Sequence, residues 1–256
     1  MKKKNISVII QARMSSTRLP GKIFLKVNSR YILDYLIDRL SFSKRIDNLI
    51  IATTTNPKDK IITEYCKKNN IIYFEGSEEN VLSRYYLAAK KYNVDIIVRI
   101  TSDCPLIDPG ILDKMLDFYN KNSYDFVSNT VPPPSNYPDG MDVEIFNFET
   151  LKKTYQNAQL PSEKEHVTFY MWKSKNFDIY KFSLKHNFSK YRLTLDYIED
   201  FELISEIIRC LYKKNSYFNM SDIIKFLQNN KHLFLLNNKF IRNESWKKSL
   251  EIDKNL

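Results

Sequence analysis

Ile9 to Lys22 reads IIQARMSSTRLPGK, and those fourteen residues decide how the rest of the chain is read. Val8, Ile9 and Ile10 form a short continuous apolar run, the pattern of a strand buried on both faces. The residues after it change character at once. Arg13, Arg18 and Lys22 bring positive charge, Ser15, Ser16 and Thr17 bring hydroxyls, Gly21 gives the backbone freedom to turn, and Pro20 stiffens the approach. A loop that leaves the carboxyl end of a buried strand with this load of donors and charge is suited to hold a polyanion. It is not the GxxxxGK[ST] loop, which would require Gly at Ser16 and Ser or Thr at Ile23. The same composition also describes a solvated surface loop, so the residues by themselves leave both readings open.

Working outward, Ile32, Leu33, Tyr35, Leu36, Arg39 and Leu40 recur at helical spacing, and Asn48 to Thr53 reads as the next buried strand. Strand, helix, strand is a parallel crossover unit. The pattern repeats with a helix opening at Pro57, a strand from Ile71 to Phe74, and a helix from Glu78 to Tyr92 for which Ser77 is the expected cap. Asp95 to Thr101 (DIIVRIT) is the expected central strand. Its carboxyl end runs into Ser102 and Asp103, on the same rim as the opening loop. Further on, the pattern predicts a helix from Pro109, strands at Tyr124 to Ser128 and Asp142 to Phe146, and an irregular loop at Pro132 to Gly140. It then predicts one helix from Ser162 to Ser174, strands at Phe177 to Leu184 and Arg192 to Asp196, and helices near Glu199 to Tyr212 and Met220 to Asn229. The expected organisation is one α/β domain over residues 1–230 with a mixed, mostly parallel sheet, followed by a polar extension over residues 231–256.

At 256 residues, 43% of them hydrophobic, the chain can bury a large core as one domain. No run reaches the length of a membrane span, and MKKKNIS leads into the first strand without a signal-peptide core, so a cytoplasmic, non-membrane protein is expected. Cys66, Cys104 and Cys210 are far apart and form no CxxC pair, which argues against a disulfide framework or a zinc site. The net charge of +10 comes from Lys and Arg scattered among 30 carboxylates, without a basic helix or a nucleic-acid module, so a nucleic-acid partner is not expected.

Two further clusters follow the opening loop: RITSDCPLID from Arg99 to Asp108, and RLTLDYIEDFELI from Arg192 to Ile204. In this order the three resemble the SpsF-type cytidylyltransferases of surface polysaccharide synthesis and, more distantly, the enzymes that make CMP-sialic acid and CMP-Kdo. The resemblance covers Ile6 to Leu203. It implies a GT-A-like three-layer α/β/α nucleotidyltransferase fold, CTP as substrate, a small-molecule acceptor and, as in the wider group, a possible homodimer. By the same resemblance Arg13 and Lys22 lie along the CTP triphosphate, and Asp103 and Asp196 bind Mg²⁺ beside it. Mg²⁺ takes one or two carboxylates plus phosphate oxygens and water, so two rim aspartates are a sufficient protein share. Gln11, Ala12, Ser15, Ser16, Thr17, Arg18, Gly21, Ser77, Thr101 and Ser102 are the expected further nucleotide contacts. Val81, Leu82, Tyr85 and Ala88, after Ser77, read as a core stripe.

The acceptor side is expected at PDGMDVEIF, Pro138 to Phe146, with Asp142 and Glu144 of its acidic group, and at Glu165 and His166 in the family's Glu-His-Val-Thr string. The acceptor class stays open among sugar acids, amino sugars and phosphorylated amino acids or polyols. Two rival readings are a glycosyltransferase on a similar fold and a nucleotide-binding protein without catalysis. The first usually carries Asp-x-Asp, whereas Asp103 is followed by Cys104 and Pro105.

Overall fold

The computed structural model describes residues 3–255. The chain begins with β1 (Ile6–Gln11), followed after a short 3-10 turn at Lys22–Phe24 by a small hairpin, β2 (Lys26–Val27) and β3 (Arg30–Tyr31), and then α1 (Ile32–Ser41). The next units are β4 (Asn48–Thr54), α2 (Lys60–Lys68), β5 (Ile72–Gly76), α3 (Val81–Lys91), β6 (Ile96–Thr101) and α4 (Pro109–Lys121). β7 (Phe126–Ser128), β8 (Glu144–Asn147), α5 (Phe148–Asn157), α6 (Pro161–Glu165), α7 (Phe169–Lys173) and β9 (Ile179–Lys181) complete the main sheet. α8 (Ile198–Ile207), α9 (Met220–Asn229), α10 (Lys231–Phe234) and α11 (Glu244–Asp253) close the described chain. None of its helices is long and apolar enough to cross a membrane.

The main sheet runs β5-β4-β1-β6-β8-β7-β9. β5, β4, β1 and β6 are parallel, β8 is antiparallel to both β6 and β7, and β7 and β9 are parallel. The sheet is therefore mixed and mostly parallel. β1 is central because its residues are apolar on both faces. Val8 and Ile10 pack with Leu33 and Leu36 of α1, Ile62 of α2 and Leu112 of α4, whereas Ile9 packs with Val81 and Tyr85 of α3 and Leu151 of α5. Helices cover both sides, and the carboxyl ends of β1 and β6 stand side by side, Gln11 opposite Thr101. A further apolar cluster joins α8 and α9 to Tyr35 and to Leu193 and Leu195.

Several expectations need correction. Ser77 does not cap α3. The helix starts later because Asn80 accepts from the Ser83 amide, while the Ser77 hydroxyl accepts from the Asn80 amide one turn earlier. The single helix expected over Ser162 to Ser174 is two short ones, broken where Val167 takes a left-handed backbone (φ 57°). Ser162 lies inside α6, and its amide donates to Asp253 at 3.1 Å. Arg192 to Asp196 is extended but is not a sheet strand. The Leu193 amide donates to the Asp139 carbonyl (2.6 Å) and the Leu195 amide to the Asp103 carbonyl (2.8 Å), so the segment is threaded between two loops. Only Ile179–Lys181 of the expected Phe177 to Leu184 strand is paired.

Candidate active site

Lys22 follows a turn that needs a glycine: Gly21 has φ +69°, a conformation open to few other residues, and its amide donates to the Met14 carbonyl at 3.0 Å. The turn sends the Lys22 side chain under the rim. Its ammonium donates to Asp103 Oδ2 at 3.1 Å, to Asp196 Oδ1 at 3.0 Å and to the Leu195 carbonyl at 2.7 Å. Three segments far apart in sequence therefore meet on one nitrogen. Burial lowers the Lys22 pKa, but the two carboxylates outweigh it, and the net shift is upward. Asp196 is also held by Arg18 (2.7 Å) and by Arg192 (3.1 Å). Burial alone would raise its carboxyl; Lys22 and Arg18 reverse this and bring it down to about 2.

These groups open onto a cavity of about 920 Å³ at the carboxyl rim of the sheet. Gln11, Ala12, Arg13, Ser16, Thr17, Arg18, Lys22, Thr101, Ser102, Asp103 and Asp196 all line it. Three expected contacts do not. Ser15 turns its hydroxyl to Glu78 at 2.8 Å, Gly21 acts through its backbone turn, and the Ser77 hydroxyl accepts from the Asn80 amide ahead of α3.

The expected acceptor residues Asp142, Glu144, Glu165 and His166 line the same cavity, but not as a free acidic group. Glu144 pairs with Arg99 at 2.5 Å and accepts from the Thr168 hydroxyl at 3.0 Å. Asp142 pairs with Arg242 at 3.0 Å, and Asp139 with Arg192 at 3.0 Å. His166 Nε2 lies 2.9 Å from the Ser249 hydroxyl, which donates to Glu165 at 2.7 Å. Burial is the main cause that lowers the His166 pKa, to about 4; Glu165 opposes it, while Arg99 and Lys173 add to it. The ring is therefore neutral at pH 7.

The polar C-terminal stretch, which carries no local signal of such a role, contributes to this wall. Ile241, Asn243, Glu244, Ser245, Trp246, Lys248 and Ser249 line the cavity. Glu244 accepts from the Tyr197 hydroxyl at 2.6 Å and lies 3.6 Å from Arg18. Arg192, at the head of the RLTLD segment, likewise carries no local signal of its role, yet it joins Asp139, Asp196 and Asp200 through a single guanidinium.

The donor set suits a hard divalent cation. Asp103 and Asp196 present carboxylate oxygens to the cavity, and no group of three or more His, Cys, Asp or Glu stands ready to hold a metal among the described residues. Carboxylate oxygens are the ligands a hard divalent cation prefers, with phosphate oxygens and water able to supply the rest.

A family model described as cytidylyltransferase matches residues 7–241. The spore coat polysaccharide biosynthesis protein SpsF of Bacillus subtilis is 34% identical over 222 residues, covering 82% of this chain and 87% of that protein. A solved cytidylyltransferase from Leptospira borgpetersenii serovar Hardjo-bovis is 38% identical with a TM-score of 0.86, over 94% of this chain and all (100%) of that one. At the level of fold alone, a CMP:2-keto-3-deoxy-manno-octonic acid synthetase solved with CTP superposes with a TM-score of 0.61 at 15% identity, over 80% of this chain and 99% of that one.

Proposed function

Because this chain belongs to the cytidylyltransferase family, nucleotidyltransferases that use CTP, we propose that it transfers CMP from CTP to a small phosphorylated or acidic acceptor, with Mg²⁺ as cofactor, in the synthesis of a surface polysaccharide. The observation that carries this reading is the meeting of Asp103 and Asp196 on the Lys22 ammonium at the rim of the sheet. The SpsF relative, named for spore coat polysaccharide biosynthesis, supports the glycan context.

In the proposed reaction an acceptor oxygen attacks the α-phosphorus of CTP. The new P–O bond forms as the bond to the β-phosphate breaks, and pyrophosphate leaves in line; a proton on an attacking hydroxyl passes to solvent. No covalent enzyme intermediate is required, since alignment and charge neutralisation supply most of the acceleration in this chemistry. Lys22 and Arg13 take charge that builds on the departing pyrophosphate, and Arg18, which lines the cavity and holds Asp196 at 2.7 Å, exchanges that carboxylate for a phosphate oxygen. Mg²⁺, when bound by Asp103 and Asp196, supplies further neutralisation of the phosphate oxygens. A cavity of about 920 Å³ supports a reading in which nucleotide and acceptor bind together, with the lining residues Glu165, His166 and Asp142 assigned to the acceptor.

The test is a pyrophosphate-release screen of the four nucleoside triphosphates against sugar acids, amino sugars, and phosphorylated polyols and amino acids, with and without Mg²⁺. Acceptor-dependent release from CTP is the expected result. Release of a nucleoside diphosphate from a nucleotide sugar would assign the chain to glycosyl transfer instead. Tight CTP binding without any release across the panel would reduce it to a nucleotide-binding protein.

A further inference from the structure

Arg84 lies in the first turns of α3 among the apolar residues Val81, Leu82, Tyr85 and Ala88. It is only 2% exposed. A guanidinium at that depth is ordinarily matched by a carboxylate. Arg84 has none among the described residues. Its one side-chain hydrogen bond runs from Nη1 to the Ser77 carbonyl at 2.8 Å, and its buried Nε has no partner at all. The two acids whose fields reach it are occupied elsewhere. Asp59 accepts from the Met14 amide at 2.6 Å and from the Thr54 hydroxyl, and Glu78 accepts from the Ser15 hydroxyl at 2.8 Å and from Asn56 at 2.7 Å. Burial, with the like charge of Arg13, outweighs Tyr85, Asp59 and Glu78 and holds the guanidinium pKa below its ordinary value.

The side chain is nonetheless held in place. A Cβ at Gly76 would lie 3.3 Å from Arg84 Cγ and 2.9 Å from Phe74, so the bare glycine at the end of β5 is what lets the arginine stem cross there. The result is a fixed, uncompensated cation in the cavity wall beside Arg13. We infer that Arg84 is a nucleotide-binding residue whose guanidinium, together with Arg13, takes phosphate oxygens of the bound triphosphate. The inference rests on the cytidylyltransferase reading and extends it to a residue outside the opening loop and the two aspartate clusters. The anion is assigned to the nucleotide rather than to the acceptor because the charged neighbours of Arg84 (Arg13, Asp59 and Glu78) belong to the opening loop and to the segments that follow β4 and β5.

Equilibrium titration of CTP, CDP, CMP and cytidine into the wild type, Arg84→Gln and Arg84→Lys, without acceptor, tests the assignment. For Arg84→Gln the expected outcome is a loss of at least about tenfold in CTP affinity, the scale of a charge-assisted hydrogen bond. The loss should shrink as phosphates are removed and vanish for cytidine. Arg84→Lys should recover part of it. CTP affinity within about twofold of wild type in folded Arg84→Gln overturns the inference, and so does an equal loss for CTP and cytidine, which would mark a structural role. If Arg84→Gln does not fold, two readouts remain: Arg84→Lys, and the Nε–Hε resonance of Arg84 in the wild-type protein, which should shift with CTP and stay still with cytidine. A resonance indifferent to CTP overturns the inference as well. Wild type that binds CTP while the variant matches it sinks the Arg84 assignment alone; wild type that binds no CTP sinks the proposed function.

Discussion

Replacing Lys22 by alanine removes the one group among the described residues that both aspartates touch, and the structural and chemical consequences can be measured separately. On the structural side, the ammonium leaves behind the Leu195 carbonyl, Asp103 and Asp196, formerly bonded at 2.7 to 3.1 Å. Breaking a buried pair costs about 3–5 kcal/mol in general. Here the cost is smaller, because the Asp103 side chain is 28% exposed and can take up water, and Asp196 keeps Arg18 and Arg192. A loss of about 2 kcal/mol in urea unfolding is therefore expected, which leaves a folded protein. On the chemical side, the loss of a contact to charge that develops on the leaving group costs at least about a hundredfold in turnover. The pH profile supplies a third readout. The folded pKa of Lys22 is raised, so its stabilisation is complete below the unfolded value of 10.5 and is lost as pH rises through the folded one. Asp196 is depressed to about 2, so its stabilisation is present above the unfolded value of 3.8 and is lost as pH falls toward 2. Without Lys22 the folded pKa of Asp196 rises, and the acid limb of the stability curve moves to higher pH. A folded Lys22→Ala protein that releases pyrophosphate within about threefold of the wild-type rate would refute the assignment of the opening loop to the triphosphate.

Two further expectations come from other parts of the molecule. His166 has a folded pKa of about 4 against an ordinary 6.5, so the neutral ring contributes stability that is present above pH 6.5 and lost as pH falls toward 4, by up to about 3 kcal/mol; His166→Gln should flatten unfolding free energy over that interval, and an unchanged slope would show that another group is responsible. Gly140 has φ +97°, and a Cβ there would fall 2.5 Å from the backbone of Leu193 and Thr194, so Gly140→Ala should cost about 3 kcal/mol or more, whereas Gly21→Ala, at φ +69° with only the flexible tip of Met14 at 3.2 Å, should cost about 1 kcal/mol. Equal shifts in melting temperature for the two glycine variants would contradict that ordering.

What could be read from the sequence was what local chemistry determines. An apolar run followed abruptly by cations and hydroxyls specifies a buried strand with a ligand loop whatever surrounds it, and β1 is buried as its residues require. Ser77 was misread because Ser and Asn both suit the start of a helix, and the pattern cannot tell which of two candidates three residues apart closes the first turn; Asn80 does. The C-terminal contribution had no local signal. Ser249 lies 83 residues from the His166 it meets, in a stretch rich in Asn and Lys, and only the packing of α11 on α6 brings them together. Arg84 was hidden for the opposite reason. It sits inside a strong apolar stripe, and its meaning depends on a glycine eight residues earlier and on two acids engaged by other partners.

The distribution of charge around the cavity follows from these contacts and constrains how a polyphosphate can enter. Lys22, Arg18 and Arg192 are already engaged with Asp103, Asp139, Asp196 and Asp200, so this cluster carries more carboxylates than cations. A triphosphate gains little from such a cluster until its carboxylates acquire another counter-ion, since like charges at hydrogen-bond range oppose each other strongly in a partly buried site. The Arg13 and Arg84 edge needs no such exchange. Arg84 has no paired carboxylate to surrender among the described residues, and Glu78, which feels the charge of both arginines, is turned toward Ser15 and Asn56. Phosphate that arrives there meets a fixed cation at no cost of breaking an ion pair, while release of Lys22 and Arg18 from Asp103 and Asp196 both frees cations for the phosphates and exposes the two carboxylates. Under the proposed function a divalent cation would enter with the nucleotide, because the step that engages Lys22 would be the same step that leaves two neighbouring aspartates in need of charge.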